Sequence, residues 1–98
     1  MPIDNTGADK LIYISALEQC ESKGRTDIKI LDTNGRYSYG ILQFQMATFN
    51  KYGEKYNLPH DNIYSKEQQE LIALYMLNDG LWRQWYTCAK PLVWVTSP

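Results

Sequence analysis

Histidine occurs once in this sequence and cysteine twice, among 98 residues. Cys20 and Cys88 stand too far apart for a CxxC redox or zinc motif, and neither has a histidine nearby. No metal cluster is visible and no cofactor is expected. The two cysteines either form one disulfide, which would mean an oxidising compartment, or remain two buried thiols. The single histidine, His60, sits beside Asp61 in "LPHDN" with no serine or cysteine nucleophile to serve, and reads as a loop residue. Long apolar runs are also missing: none approaches the roughly 20 residues that span a bilayer, so no membrane insertion is expected. Nor does one sign of charge prevail. Ten Lys and Arg against eleven Asp and Glu give a net charge of -1, without the basic field that draws phosphate backbones, so nucleic acid is not an expected partner. The opening "MPIDNTGADK" lacks a charged region followed by an apolar one and is not a signal peptide. The chain is then either cytosolic or exported by a signal outside this sequence.

What is present fits one domain over residues 1–98, because a second core would need about twice the chain. Its core is expected at about 8–90, with flexible termini. No repeat, linker or low-complexity segment appears. Tyrosine is abundant, eight against two Phe and three Trp. A ring with a polar tip suits either the core of a short chain or a partly wet groove for a ligand with flat apolar faces, such as a sugar.

Residues 7–22 contain no Pro and no internal Gly, and read as a helix. Ile12, Tyr13, Ala16, Leu17 and Cys20 form a wide apolar arc that Leu11 and Ile14 extend, so the helix is expected to be buried on most sides. Ser15, Gln19 and Ser22 mark its polar strip. In "DIKILDTNGRYSYG", two short alternating runs flank Asn34-Gly35, which predicts a hairpin with a type I′ turn. Aromatic and apolar residues over 42–56 recur at three- and four-residue steps and predict a second helix, with Gly53 as the place where it could break. "NLPHDNIY" is loop. Ser65 with Gln68 forms a capping box ahead of Leu71, Ile72, Tyr75 and Met76, and Gly80 sits where a C-terminal cap belongs. "LWRQWYTC" reads as a short final helix or turn, ended by Pro91. The fold class is therefore mainly α with a small β-hairpin (α+β).

Glu21 falls between Leu17 and Ile14 on the helical wheel, at the last turn of an apolar helix. Desolvation and the negative end of the helix dipole both push its pKa upward, and a carboxyl that stays protonated near neutral pH can act as a general acid. Glu18, between Ile14 and Leu11, competes for that role, and a glutamate that merely ends a helix at the surface is the commoner case. Glu21 has the better position, because it adjoins Cys20 and precedes the hairpin, where a cleft can open.

"ALEQCES", an Asn-Gly turn, "YSYGILQFQMATF" and the closing "NDGLWRQWYTC" together resemble the catalytic domain of resuscitation-promoting factors. That domain is lysozyme-like and is grouped with soluble lytic transglycosylases and goose-type lysozymes. The resemblance covers roughly residues 10 to 90. It implies a lysozyme-like fold, Glu21 as the catalytic acid, and a disulfide between Cys20 and Cys88. It also implies Gln43, Tyr39 and Thr48 in the sugar cleft, with Gln43 serving ligand more than core. Phe49 stands where the family usually has Trp, and Arg36 and Ser38 depart from its tyrosine-rich turn, which bears on subsite preferences.

The implied substrate is the peptidoglycan glycan strand, cut at the β-1,4 bond between N-acetylmuramic acid and N-acetylglucosamine by a monomer that is secreted or associated with the cell wall. With one matched acid, the muramic hydroxyl itself can attack and leave a 1,6-anhydro sugar. Asp32 and Asp27, on or beside the hairpin, are candidates for a second carboxylate that would activate water instead. Two other readings stand beside this one. The fold could hold glycan strands without cutting them, or the chain could be a small helical structural domain whose cysteines never pair.

Overall fold

The computed structural model describes residues 7–89. Helix α1 spans Gly7–Ser22. Strands β1 (Lys29–Leu31), β2 (Tyr37–Tyr39) and β3 (Phe44–Gln45) follow, then α2 (Met46–Lys55) and α3 (Lys66–Asn78). A 3₁₀ turn over Trp82–Trp85 runs directly into the short helix α4, Tyr86–Ala89. The three strands form one antiparallel sheet in the order β1-β2-β3, with Ile30 opposite Ser38 and Tyr39 opposite Phe44. The α+β expectation is met, with one strand more than the predicted hairpin. Pro91, the predicted stop after the last helix, and the termini expected to be flexible lie outside the described residues.

Ser65 and Gly80 cap the two ends of α3 as the sequence predicts. Ser65 Oγ accepts from the Gln68 backbone N–H at 3.2 Å. At the other end, Gly80 N–H bonds to Leu77 O and Leu81 N–H to Met76 O, with Gly80 in the left-handed region, which is a Schellman stop. The Gln68 side chain does not complete the box. It turns outward to accept from Asn62 N–H and donate to Asp61.

Helix α1 is not buried on most sides. Tyr13, Ile14, Leu17 and Glu18 face the core, while Leu11 and Ile12 are exposed. Ser22, placed by the wheel on the polar strip, is buried, because its hydroxyl donates to Ile41 O at 2.8 Å and to Glu18 O at 3.0 Å. The hairpin turn also differs from the prediction. Gly35 is left-handed and Asn34 is not, and Gly35 N–H closes on Asp32 O at 3.0 Å. A type I′ turn needs both residues left-handed; the turn here starts at Asp32 and ends on the left-handed glycine, a longer loop that leaves Asp32 at the root of the hairpin.

The second helix begins at Met46, four residues later than expected, because Phe44 and Gln45 pair with β2. It passes through Gly53 unbroken. A Cβ at Gly53 would stand 2.5 Å from the ring carbons of His60, so this glycine admits the histidine against the helix instead of interrupting it.

The core centres on Trp85, Phe44 and Phe49, each about 1% exposed or less. Phe44 meets Phe49 and Trp85 edge-on at 5.7 and 5.5 Å, and the Trp85 indole donates to Leu42 O at 2.9 Å. Gln69, fully buried on α3, satisfies three backbone groups at once. It accepts from Leu42 N–H at 2.8 Å and donates to Tyr39 O at 2.8 Å and to Ile63 O. Gly40 allows this close approach, since a Cβ there would lie 2.6 Å from the Gln69 amide nitrogen. The chain leaving the hairpin is thereby fixed against α3 and α1 together.

Candidate active site

A cleft of about 570 Å³ opens between the end of α1, the inner face of the sheet and the segment 83–88. Glu21 enters it from α1, Asp32 and Ser38 from the hairpin, and Gln43 and Gln45 from the stretch after it. Sequence distance is large, but each group arrives by a simple rule. Glu21 ends the helix; Ser38 lies opposite Gln45 in the sheet, so the two share one face; and Gln43 enters from the left-handed turn just before β3.

Glu21 is half-buried, and desolvation first, then the negative charge of Asp32, pushes its carboxyl up to about 7. It therefore holds a proton well above the pH at which a solvated glutamate loses one. Asp32 is fixed through one oxygen, which accepts from Ser38 Oγ and from Gln45 Nε2, the latter at 2.7 Å. Two acidic groups thus face one cleft in unlike settings, one desolvated and one amid donors, and such settings separate the roles of a carboxyl pair.

Gln43 is 8% exposed and left-handed at φ 52°. Its Nε2 donates to Gly40 O at 2.8 Å, so the amide serves the turn as well as the cleft it lines. That is a correction to the expectation of a side chain given over to ligand. The disulfide between Cys20 and Cys88 is formed, with Cα atoms 5.8 Å apart, and both cysteines line the cleft. The reading with unpaired thiols is excluded by this bond.

Three residues expected at the site lie outside the main cleft. Asp27 is exposed and is not part of the cleft wall, because the chain at 25–28 has not yet entered the sheet. Tyr39 follows Ser38 on β2 and so turns to the opposite face, where its ring meets Tyr64 edge-on at 5.7 Å. Thr48 lines a second depression of about 380 Å³, which shares Arg83 and Gln84 with the main cleft. His60, as expected, is confined to its loop, where its Nδ1 lies 2.7 Å from Leu58 O.

The sequence reading missed Gln45, Arg83, Gln84 and Tyr86 as cleft residues. Gln45 could have been found as the residue opposite Ser38 had the short strand been recognised. Glu18, the rival acid, is buried against α3 and is not part of the cleft. Its pKa is raised by desolvation and by the carboxyl of Glu70, with Lys66 opposing. No donor reaches the buried Glu18 Oε2, so the Glu18–Glu70 pair is satisfied only when a proton lies between them.

A sequence model of the transglycosylase-like domain matches residues 8–88. The chain belongs to that family. Its α+β architecture, helices around a small antiparallel sheet, is consistent with a lysozyme-like fold. No curated protein and no solved structure matches the chain. Among the described residues of this transglycosylase-like domain, no helix is long and apolar enough to cross a membrane, and no group of His, Cys, Asp and Glu could hold a metal ion.

Proposed function

We propose that this domain cleaves peptidoglycan glycan strands at the β-1,4 bond between N-acetylmuramic acid and N-acetylglucosamine, with Glu21 as general acid and base. One observation carries the reading: a half-buried glutamate with its carboxyl pushed up to about 7 faces a second carboxylate across an open, mostly polar cleft. Family membership supports the transglycosylase chemistry. Glu21 gives its proton to the glycosidic oxygen as the bond breaks, and positive charge develops at the anomeric carbon. The carboxylate of Asp32 opposes that charge. Glu21, now ionised, takes the proton of the muramic 6-hydroxyl, which closes on the anomeric carbon to give the 1,6-anhydro sugar. Gln43 and Gln45 offer amides to the sugar, and Thr48 lines the adjoining depression. Cell-wall glycan and an intact disulfide both fit a domain that works outside the cytoplasm.

A second reading has its own support. Asp32 shares the cleft with Glu21 and could direct water to the sugar, giving a hydrolase. The deciding experiment is mass spectrometry of purified peptidoglycan after incubation with the protein. Anhydro-muropeptides, lighter by one water than hydrolysis products, support internal attack. Reducing-end products that vanish in Asp32→Asn establish the two-carboxylate route, and no cleavage at all leaves a glycan-binding module.

A further inference from the structure

The second depression differs in chemistry from the main cleft that it adjoins. The main cleft is walled by carboxyls and amides: Glu21, Asp32, Gln43, Gln45 and Gln84. The depression has no acidic side chain in its wall, and two cations stand there, Lys51 on α2 and Arg83 in the 3₁₀ turn. Lys51 Nζ lies 5.2 Å from the centre of the Tyr52 ring, and the Arg83 guanidinium lies 5.0 Å from that of Trp82. Rings hold both cations, and among the described residues neither has a carboxylate partner. Thr48, Lys51 and Tyr52, three and four residues apart, bring hydroxyl, ammonium and ring to one face of α2. Arg83 and Gln84 border both spaces, so a substituent on a sugar in the main cleft reaches the depression without leaving the protein surface.

From this we infer that the depression binds the peptide stem of the glycan strand through its carboxylates, and makes the domain prefer peptide-bearing strands over bare ones. The inference rests on the glycan reading of the main cleft. A stem peptide hangs from the lactyl group of a muramic residue and, where it is not cross-linked, ends in a free carboxylate. The planar fork of Arg83 matches a carboxylate, and Lys51 adds a second positive charge. A further sugar would find only one amide there, Gln84, and no carboxyl, and would leave both cations without use.

The test uses the full chain carrying Glu21→Gln, which removes turnover, and calorimetric titration at low and at high salt. Three probes are compared: a GlcNAc–MurNAc tetrasaccharide, the same glycan with stem peptides, and the peptide form with its carboxylates amidated. At low salt the free-carboxylate form should bind roughly fivefold more tightly than either other probe, the size expected of two partly exposed ion pairs. High salt should remove the difference. Adding Lys51→Glu should abolish the preference while leaving the bare glycan's affinity unchanged, and thermal unfolding confirms that this variant is folded. Equal affinity for bare and peptide-bearing glycan overturns the inference and leaves the cleft reading intact, as does a Lys51→Glu effect of the same size on both. If neither glycan binds, the cleft reading falls and this inference falls with it.

Discussion

The hydroxyl of Ser22 donates to the carbonyl of Ile41 at 2.8 Å, joining the residue after Glu21 to the turn that carries Gln43. The bond therefore couples the position of the acid to that of the amide, which stand on different elements. Ser22→Ala should cost about 1 to 3 kcal/mol, because a buried carbonyl loses its donor. Cleavage, measured at a temperature where the variant is folded, should fall further than stability alone accounts for. Full activity in a destabilised Ser22→Ala would show that the bond holds the fold without placing Glu21.

The acid's pKa gives a pH profile. With Glu21 at about 7, activity that needs its proton should decline as pH rises through that value. Asp32→Asn removes one of the two causes, so the alkaline limb should move to lower pH even where some activity survives. Glu21→Gln keeps size and loses the proton, with an expected fall of about a hundredfold or more. An alkaline limb that stays in place in Asp32→Asn would mean that the two groups do not interact.

Glu18 controls stability in the same pH range with a separate readout. Its carboxyl is raised from 4.5 to about 8 in the folded protein. Between these values the folded state binds the proton more tightly than the unfolded chain does. Stability is therefore full below about pH 4.5 on this group's account and is lost as pH rises through 8. The melting temperature should be lower at pH 8 than at pH 6. Glu18→Gln should flatten that slope and raise the melting temperature at pH 8 without removing cleavage. A slope unchanged in Glu18→Gln would place its origin elsewhere.

Gln43 should prove both structural and functional. Replacement by Ala leaves a left-handed residue with no amide to bond Gly40 O, at an expected cost of about 1 to 2 kcal/mol. Gln43→Gly relieves the backbone while still lacking the amide. Unfolding midpoints should rank wild type above Gly above Ala, and glycan binding should be weakened alike in both variants.

The disulfide closes a loop of sequence separation 68, which restricts the unfolded chain by roughly 4 kcal/mol. Reduction should lower the melting temperature by many degrees. Because both cysteines are in the cleft wall, reduction should also weaken glycan binding in protein that is still folded. Two titratable thiols in the unreduced protein would contradict the bond.

The parts of this fold legible in sequence are those written in local chemistry. Helices α1 and α3 announce themselves through unbroken periodicity and, for α3, through Ser65 and Gly80. Glu21 could be singled out because its wheel position and its neighbour Cys20 are local facts. Partnerships across the chain left no such trace. Gln69 sits in the polar run "KEQQE" and looks like surface, yet it is fully buried, because the carbonyls and N–H that need it belong to residues 39, 42 and 63. Strand β3 is two residues long, too short to show alternation, so its start was absorbed into the following helix. Tyr39 is next to Ser38 in sequence, yet in a strand one step exchanges the two faces, so the neighbours part in space.

The contact between Gly40 and Gln69 limits how this sequence can drift. Any side chain at 40 would push the amide out of its seat, and any residue other than Gln at 69 would strand three backbone groups that nothing nearby can serve. Neither position can change first without a fitness loss. The two positions are therefore bound to change together or not at all, across the 28 residues that lie between them.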